Sequence, residues 1–190
     1  MVIYATKQTI ERYKIVLPQD MHSPFKEIAL ATMQKESGDR LLEWGAKLFY
    51  FDNRKCLQVV NFASKLTLFL FDIKVEDLAT VGNTIAQYLL DIYCDNTTMT
   101  ALLKRFFADH PIVTFDRLTD RSAIATLNHT QLTFADDSYR FYDFIENNVL
   151  QTRRINKMVN FDWIFTEKKD GKTDYFCSGE KFRQLLKERY

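Results

Sequence analysis

Arginine is a poor choice for the first turn of a helix, because the backbone amides there already carry partial positive charge. The stretch DRLTDRSAIATLNH, Asp116 to His129, nevertheless puts Arg121 directly after a good N-cap residue, Asp120. Ile124, Leu127 and Phe134 share the side of that helix that would face a core. Arg121 and Asn128, seven apart, project in nearly the same direction, with Ala125 between them. A small residue there leaves a shallow groove with a guanidinium at one end and an amide at the other. Together with Ser122 and the unpaired amides of the first turn, this suits a phosphate or a carboxylate. The plainer alternative is that Arg121 pairs with Asp116 or Asp120 and that Asn128 bonds a neighbouring loop backbone. If the site is catalytic, Asp116 or Asp120 is the candidate general base and Arg121 the charge clamp.

A second constellation lies toward the C-terminal end. Arg153, Arg154 and Lys157 precede Phe161, Trp163 and Phe165, which alternate as one face of a strand would. Lys168, Lys169 and Lys172 then crowd the turn Asp170-Gly171. Aromatic rings beside cations can stack bases and hold phosphates. The plainer reading is a core-facing aromatic strand with a solvated tip. Residues 151–190 carry 10 Lys/Arg against 6 Asp/Glu, while the rest carry 16 against 19. This modest asymmetry points toward an anionic partner.

Other chemistries find little support. His22, His110 and His129 lack the spacing of a helical zinc site, and no metal or cofactor is expected. The adjacent pairs Glu76/Asp77 and Asp136/Asp137 diverge on a helix and read as first-turn acids. There is no nucleophile elbow, phosphate-binding glycine loop or dinucleotide fingerprint, and Ser122 has no visible base. Cys56, Cys94 and Cys177 are odd in number and far apart, so they read as buried small hydrophobes rather than a disulfide framework.

The elements that must position these residues follow from local pattern. Residues 2–5, VIYA, read as a short strand, and Thr6 as the cap of KQTIERY. A helix follows over Phe25–Glu36, ended by SGD. Between Trp44 and Ile73, the runs KLFYFD, KCLQVVNF and LTLFLFD are linked by two or three residues. Such short links permit only antiparallel hairpins. LTLFLF is nearly all apolar, as expected of a strand covered on both faces. Leu78, Val81, Ile85, Leu89 and Ile92 then recur at helical spacing, and TTMTALLKRFFAD is a second helix capped by Thr97 or Thr98. A strand IVTFDR, the Asp120 helix, a helix over roughly Ser138–Asn148, the Asp170-Gly171 hairpin and a helix capped by Ser178 complete the series.

At WGAKLFYFDNRKCLQVVNFASKLTLFLFDI and at TDRSAIATLN the chain resembles a bacterial domain family of unknown function. The positions that carry the resemblance are Trp44, Arg54, Lys55, Arg121 and Asn128. The resemblance implies that these positions matter together, and it brings no activity with it.

With 190 residues, 46% of them hydrophobic, and only 5 Gly and 3 Pro, the chain fits one folded domain. A C-terminal subdomain over 151–190 is the one candidate division. No run approaches the ~20 apolar residues of a membrane helix, and MVIYATKQ lacks a secretory pattern, so a cytoplasmic location is expected. The expected architecture is α+β: an antiparallel meander packed against α-helices, with a C-terminal hairpin and helix. The leading function is a non-catalytic binding module for an anionic group or a protein partner, using Arg121, Ser122, Asn128, Arg54 and Lys55. The alternatives are a nucleic-acid-binding protein using Arg153, Arg154, Lys157, Lys168, Lys169 and Lys172, or an enzyme acting on a phosphorylated or nucleotide-like substrate.

Overall fold

The computed structural model describes residues 1–135, 140–169 and 171–190, with the backbone alone at 135 and 169. Strand β1 (Val2–Ala5) leads into helix α1 (Lys7–Tyr13), where the Thr6 hydroxyl accepts from the Thr9 amide at 3.3 Å. Helix α2 (Phe25–Glu36) precedes β2 (Glu43–Phe51), β3 (Arg54–Asn61) and β4 (Thr67–Leu70). Helices α3 (Val81–Ile92) and α4 (Thr97–Asp109) lead to β5 (Thr114–Arg117) and α5 (Arg121–Ala135). Two short strands, β6 (Ile145–Glu146) and β7 (Val149–Leu150), open into α6 (Thr152–Lys157). The hairpin β8 (Phe165–Lys169) and β9 (Lys172–Phe176) and helix α7 (Ser178–Arg189) come last.

The fold is α+β, as the pattern indicates, and β2–β3–β4 is the expected antiparallel meander. The sheet is nevertheless mixed. Its order is β4-β3-β2-β1-β5, and β1 runs parallel to both β2 and β5. One face carries Ile3, Trp44, Leu57 and Leu68 against Ile85 and Leu89 of α3, Leu103 and Phe106 of α4, and Phe182 and Leu186 of α7. On the other face, Val60 meets Ala123 and Leu127 of α5, while Phe49 and Phe69 join Phe134, Phe144, Ile155 and Phe165. Gly45 permits the close approach of α5, since a Cβ there would lie 3.3 Å from the Ala123 Cβ.

Edge strand β4 is closed by two asparagines instead of a further strand. The Asn156 amide accepts from Phe69 N at 2.7 Å and donates to Phe69 O at 3.1 Å. Asn160 does the same at Thr67, at 2.8 and 2.6 Å, and also accepts from the Ser178 hydroxyl at 2.8 Å. Four helical residues rise ~6 Å and two strand residues about 6.6 Å, so side chains four apart can match alternate residues of β4. Both asparagines are fully buried. The side-chain amides take the place of a neighbouring strand and remove an exposed edge.

Several local expectations are corrected. The helix expected over 138–148 is absent among the described residues 140–148: Phe141–Phe144 form a single 3-10 turn and β6–β7 a hairpin. Asn147 and Asn148 both have positive φ, the geometry of a tight hairpin turn that asparagine tolerates. Residues 136–139, including Asp136/Asp137 and Ser138, lie outside the described residues, as does Asp170. The strand-like alternation at Phe161 and Trp163 fails because Met158–Asp162 continue α6 as a wider π-helical turn, held by the Asn160 bonds to β4. Asn96, not Thr97 or Thr98, caps α4 by accepting from Met99 N at 3.0 Å. Ser178 is the first residue of α7, and its hydroxyl is turned to Asn160. The cysteines are all free, but only Cys56 is buried. Among the described residues no helix is long and apolar enough to cross a membrane.

Candidate functional site

The first turn of α5 is built around Asp120. Its carboxylate accepts from the Ala123 amide at 2.7 Å and from Arg40 Nη1 at 2.8 Å. Burial would raise its pKa, but the bonds from Ala123 and Arg40 win and hold it below the usual aspartate value. A carboxylate so engaged is a weak proton acceptor, which counts against Asp120 as a general base. Asp116 caps its own neighbour, accepting from Arg117 N at 2.8 Å. The expected pairing of Arg121 with either acid is therefore corrected: Asp120 is committed to Arg40 instead. Arg121 is exposed, with no hydrogen bond or ion pair among the described residues.

Ser122, the next residue, lines a hollow of about 700 Å³ between the start of α5, the β3–β4 turn and the β8–β9 hairpin. Arg40, Lys65 and Lys168 bring three cations to its walls, and Thr166 and Thr173 bring hydroxyls. Arg40 lies over the Phe62 ring at 4.7 Å, and Tyr4 stacks on Phe62 at 5.4 Å. Lys65 is held in place by a bond from its Nζ to Thr166 O at 2.9 Å, and burial lowers its pKa. Lys168 and Thr173 are cross-strand partners on one side of the hairpin. Lys168 has no bonded partner among the described residues. Among the described residues Glu167 is the single carboxylate of the lining, and Lys181 neutralises it at 2.5 Å.

The hollow thus unites parts of both constellations read from the sequence, Ser122 from one and Lys168 from the other. The remaining residues are engaged separately. Asn128 Oδ1 accepts from Lys47 Nζ at 2.8 Å, and burial lowers the Lys47 pKa. Arg54 pairs with Asp72 at 2.7 Å, and Lys55 donates to Arg12 O at 2.9 Å. Arg153 and Lys157 share Asp95 at 2.8 and 2.7 Å, and Arg154 pairs with Glu146 at 2.6 Å. Lys157 above all pulls the Asp95 carboxyl down to about 2. Lys172 projects from the opposite side of the hairpin to Lys168, and the Lys169 side chain lies outside the described residues. Trp44 is buried against Phe182 and serves the core. Arg40 and Lys65 are missed by sequence reasoning, since each is a lone cation in a turn. Among the described residues no group of three or more His, Cys, Asp or Glu side chains could hold a metal ion.

Against this geometry the comparisons are brief. A family described as Domain of unknown function (DUF6933) matches residues 2–181. The chain belongs to this family. Its match takes in the walls of the hollow from Arg40 to Thr173, leaving Leu185 outside, and brings no activity with it. No curated protein matches the chain.

Proposed function

We propose that the protein is a non-catalytic binding module whose ligand carries an anionic group, phosphate above all, and that the hollow at the start of α5 receives it. One observation carries this reading: Arg40, Lys65 and Lys168 converge on one hollow, and Glu167, its single carboxylate among the described residues, is already neutralised by Lys181. Three cations around one space, of which Arg40 alone has an acid partner in Asp120, favour an anion, and charge-assisted bonds from arginine and lysine are the strong ones. The Ser122 side chain lines the hollow at the positive end of a 15-residue helix, whose dipole has the same preference. The burial that lowers the Lys65 pKa also raises the worth of each charge there.

Calorimetric titration with tripolyphosphate tests this. Measurable binding that weakens with added salt is expected, and Lys168→Ala should weaken it about fivefold with the melting temperature unchanged. Absence of binding at low salt overturns the proposal, as does binding that Lys168→Ala leaves untouched. Nucleic-acid recognition through Arg153, Arg154 and Lys157 finds less support, because Asp95 and Glu146 already answer those three cations.

A further inference from the structure

The β8–β9 hairpin has two unlike faces. Phe165 and Phe176 stack on each other at 6.4 Å and join the core cluster on one. The register puts Thr166, Lys168, Thr173 and Tyr175 on the other. Three of these four line the anion hollow; the fourth, Tyr175, is 68% exposed and its ring touches no other ring or cation among the described residues. Tyr175 faces Thr166 directly and is the diagonal neighbour of Lys168, about 7 Å away between side-chain roots. Phe62, the aromatic residue of the lining itself, has no face to offer: Tyr4 covers one side and Arg40 lies over the ring.

We infer that the ligand of the hollow is a nucleotide unit, free or within a single strand, with its phosphate among Lys168, Arg40 and Lys65 and its base stacked on Tyr175. The inference rests on the anion-binding reading above and adds the base to it. An exposed ring one diagonal step from a lysine matches the layout of a nucleotide, in which a planar base and a phosphate are joined by a short sugar. Stacking on an aromatic ring tolerates any base, because every base has a π face, while the lysine supplies the phosphate contact. Tyrosine also carries a polar tip, so its exposure without a ligand costs less than that of phenylalanine.

The test compares three probes on the intact protein: tripolyphosphate, adenosine triphosphate and a single-stranded oligoadenylate. At least one nucleotide probe should bind more tightly than tripolyphosphate, and the tighter of the two identifies the source of the unit. Tyr175→Ala should weaken that probe roughly fivefold or more, leave tripolyphosphate unchanged, and be rescued by Tyr175→Phe. Equal affinity for all three probes overturns the inference while leaving the anion site intact, as does a Tyr175→Ala variant that weakens all three alike. Failure of every probe to bind removes the anion site and the inference with it.

Discussion

Two clusters of cations on this protein differ in what answers their charge. Around α6, Arg153 and Lys157 converge on Asp95, and Arg154 on Glu146. Around the start of α5, the half-exposed Arg40 pairs with Asp120, Lys168 and Arg121 have no acid partner among the described residues, and Lys65 leans on a backbone carbonyl. The two regions also differ in what lies beneath. α6 is pinned to β4 by the fully buried amides of Asn156 and Asn160. The hollow is walled by turns and a two-stranded hairpin. A cluster of like charge therefore says little about function until the opposite charges around it are counted. The more conspicuous run in the sequence is the neutralised one.

The strongest way to break this contrast is through the asparagines. Asn160→Leu would strand the Thr67 amide and carbonyl and the Ser178 hydroxyl, all buried. A loss of about 3 kcal/mol is expected, read as a fall in urea midpoint with unchanged slope. A cost below about 1 kcal/mol would mean that water replaces the amide and that the α6 region is not the rigid one. In the hollow the opposite behaviour is expected. Lys168→Glu should leave the urea midpoint in place, because the lysine bonds to nothing among the described residues, yet weaken tripolyphosphate binding about tenfold or more. A large fall in stability with this substitution would assign Lys168 a structural role.

The comparison sharpens if the closed cluster can be opened. Asp95→Asn removes the shared acid of Arg153 and Lys157, both of which line a space of about 550 Å³ together with Arg154 and Asp162. A second, weaker tripolyphosphate site is expected to appear in calorimetry, absent from the parent protein. An unchanged stoichiometry of one would show that uncompensated charge alone does not make a site, and that the hydroxyls of the hollow are required.

How far the sequence foretold this depends on whether a feature is local. The β2–β3–β4 meander is legible because its linkers are too short for any other pairing, and Asp52 and Asn53 adopt the positive φ of a tight turn. The parallel pairing of β1 with β2 and β5 is not, because four residues carry no mark of their partners and the crossovers are set by packing. The Asn147-Asn148 pair is itself a turn signal, and the helix expected over 138–148 runs across it. In the site, Ser122 and Lys168 stand out beside a helix start and a hairpin turn. Arg40 and Lys65 do not, because a lone cation in a turn is most often solvated. Only the tertiary approach of residues 40, 65, 122 and 168 makes one hollow of them.

The smallest expected effect concerns acid. Asp120 has a depressed pKa in the fold, so the stability it contributes is present above the ordinary aspartate value of 3.8 and disappears as pH falls through the lower folded value. Asp120→Asn keeps the capping oxygen for Ala123 N but loses the charge that faces Arg40. The Arg40 side chain is 47% exposed, so the pair is screened, and a cost of about 0.5 kcal/mol at pH 7 is expected. Below the folded pKa parent and variant should converge, because protonation has already removed the charge in the parent. The same substitution frees Arg40 from its acid, so tripolyphosphate should bind the variant slightly more tightly at pH 7 while the fold is slightly weaker. Stability and affinity moving in opposite directions is the signature of a cation shared between a structural partner and a ligand. If both fall together, Asp120 positions Arg40 for the anion, and the contrast between answered and unanswered charge must be redrawn with Arg40 on the answered side.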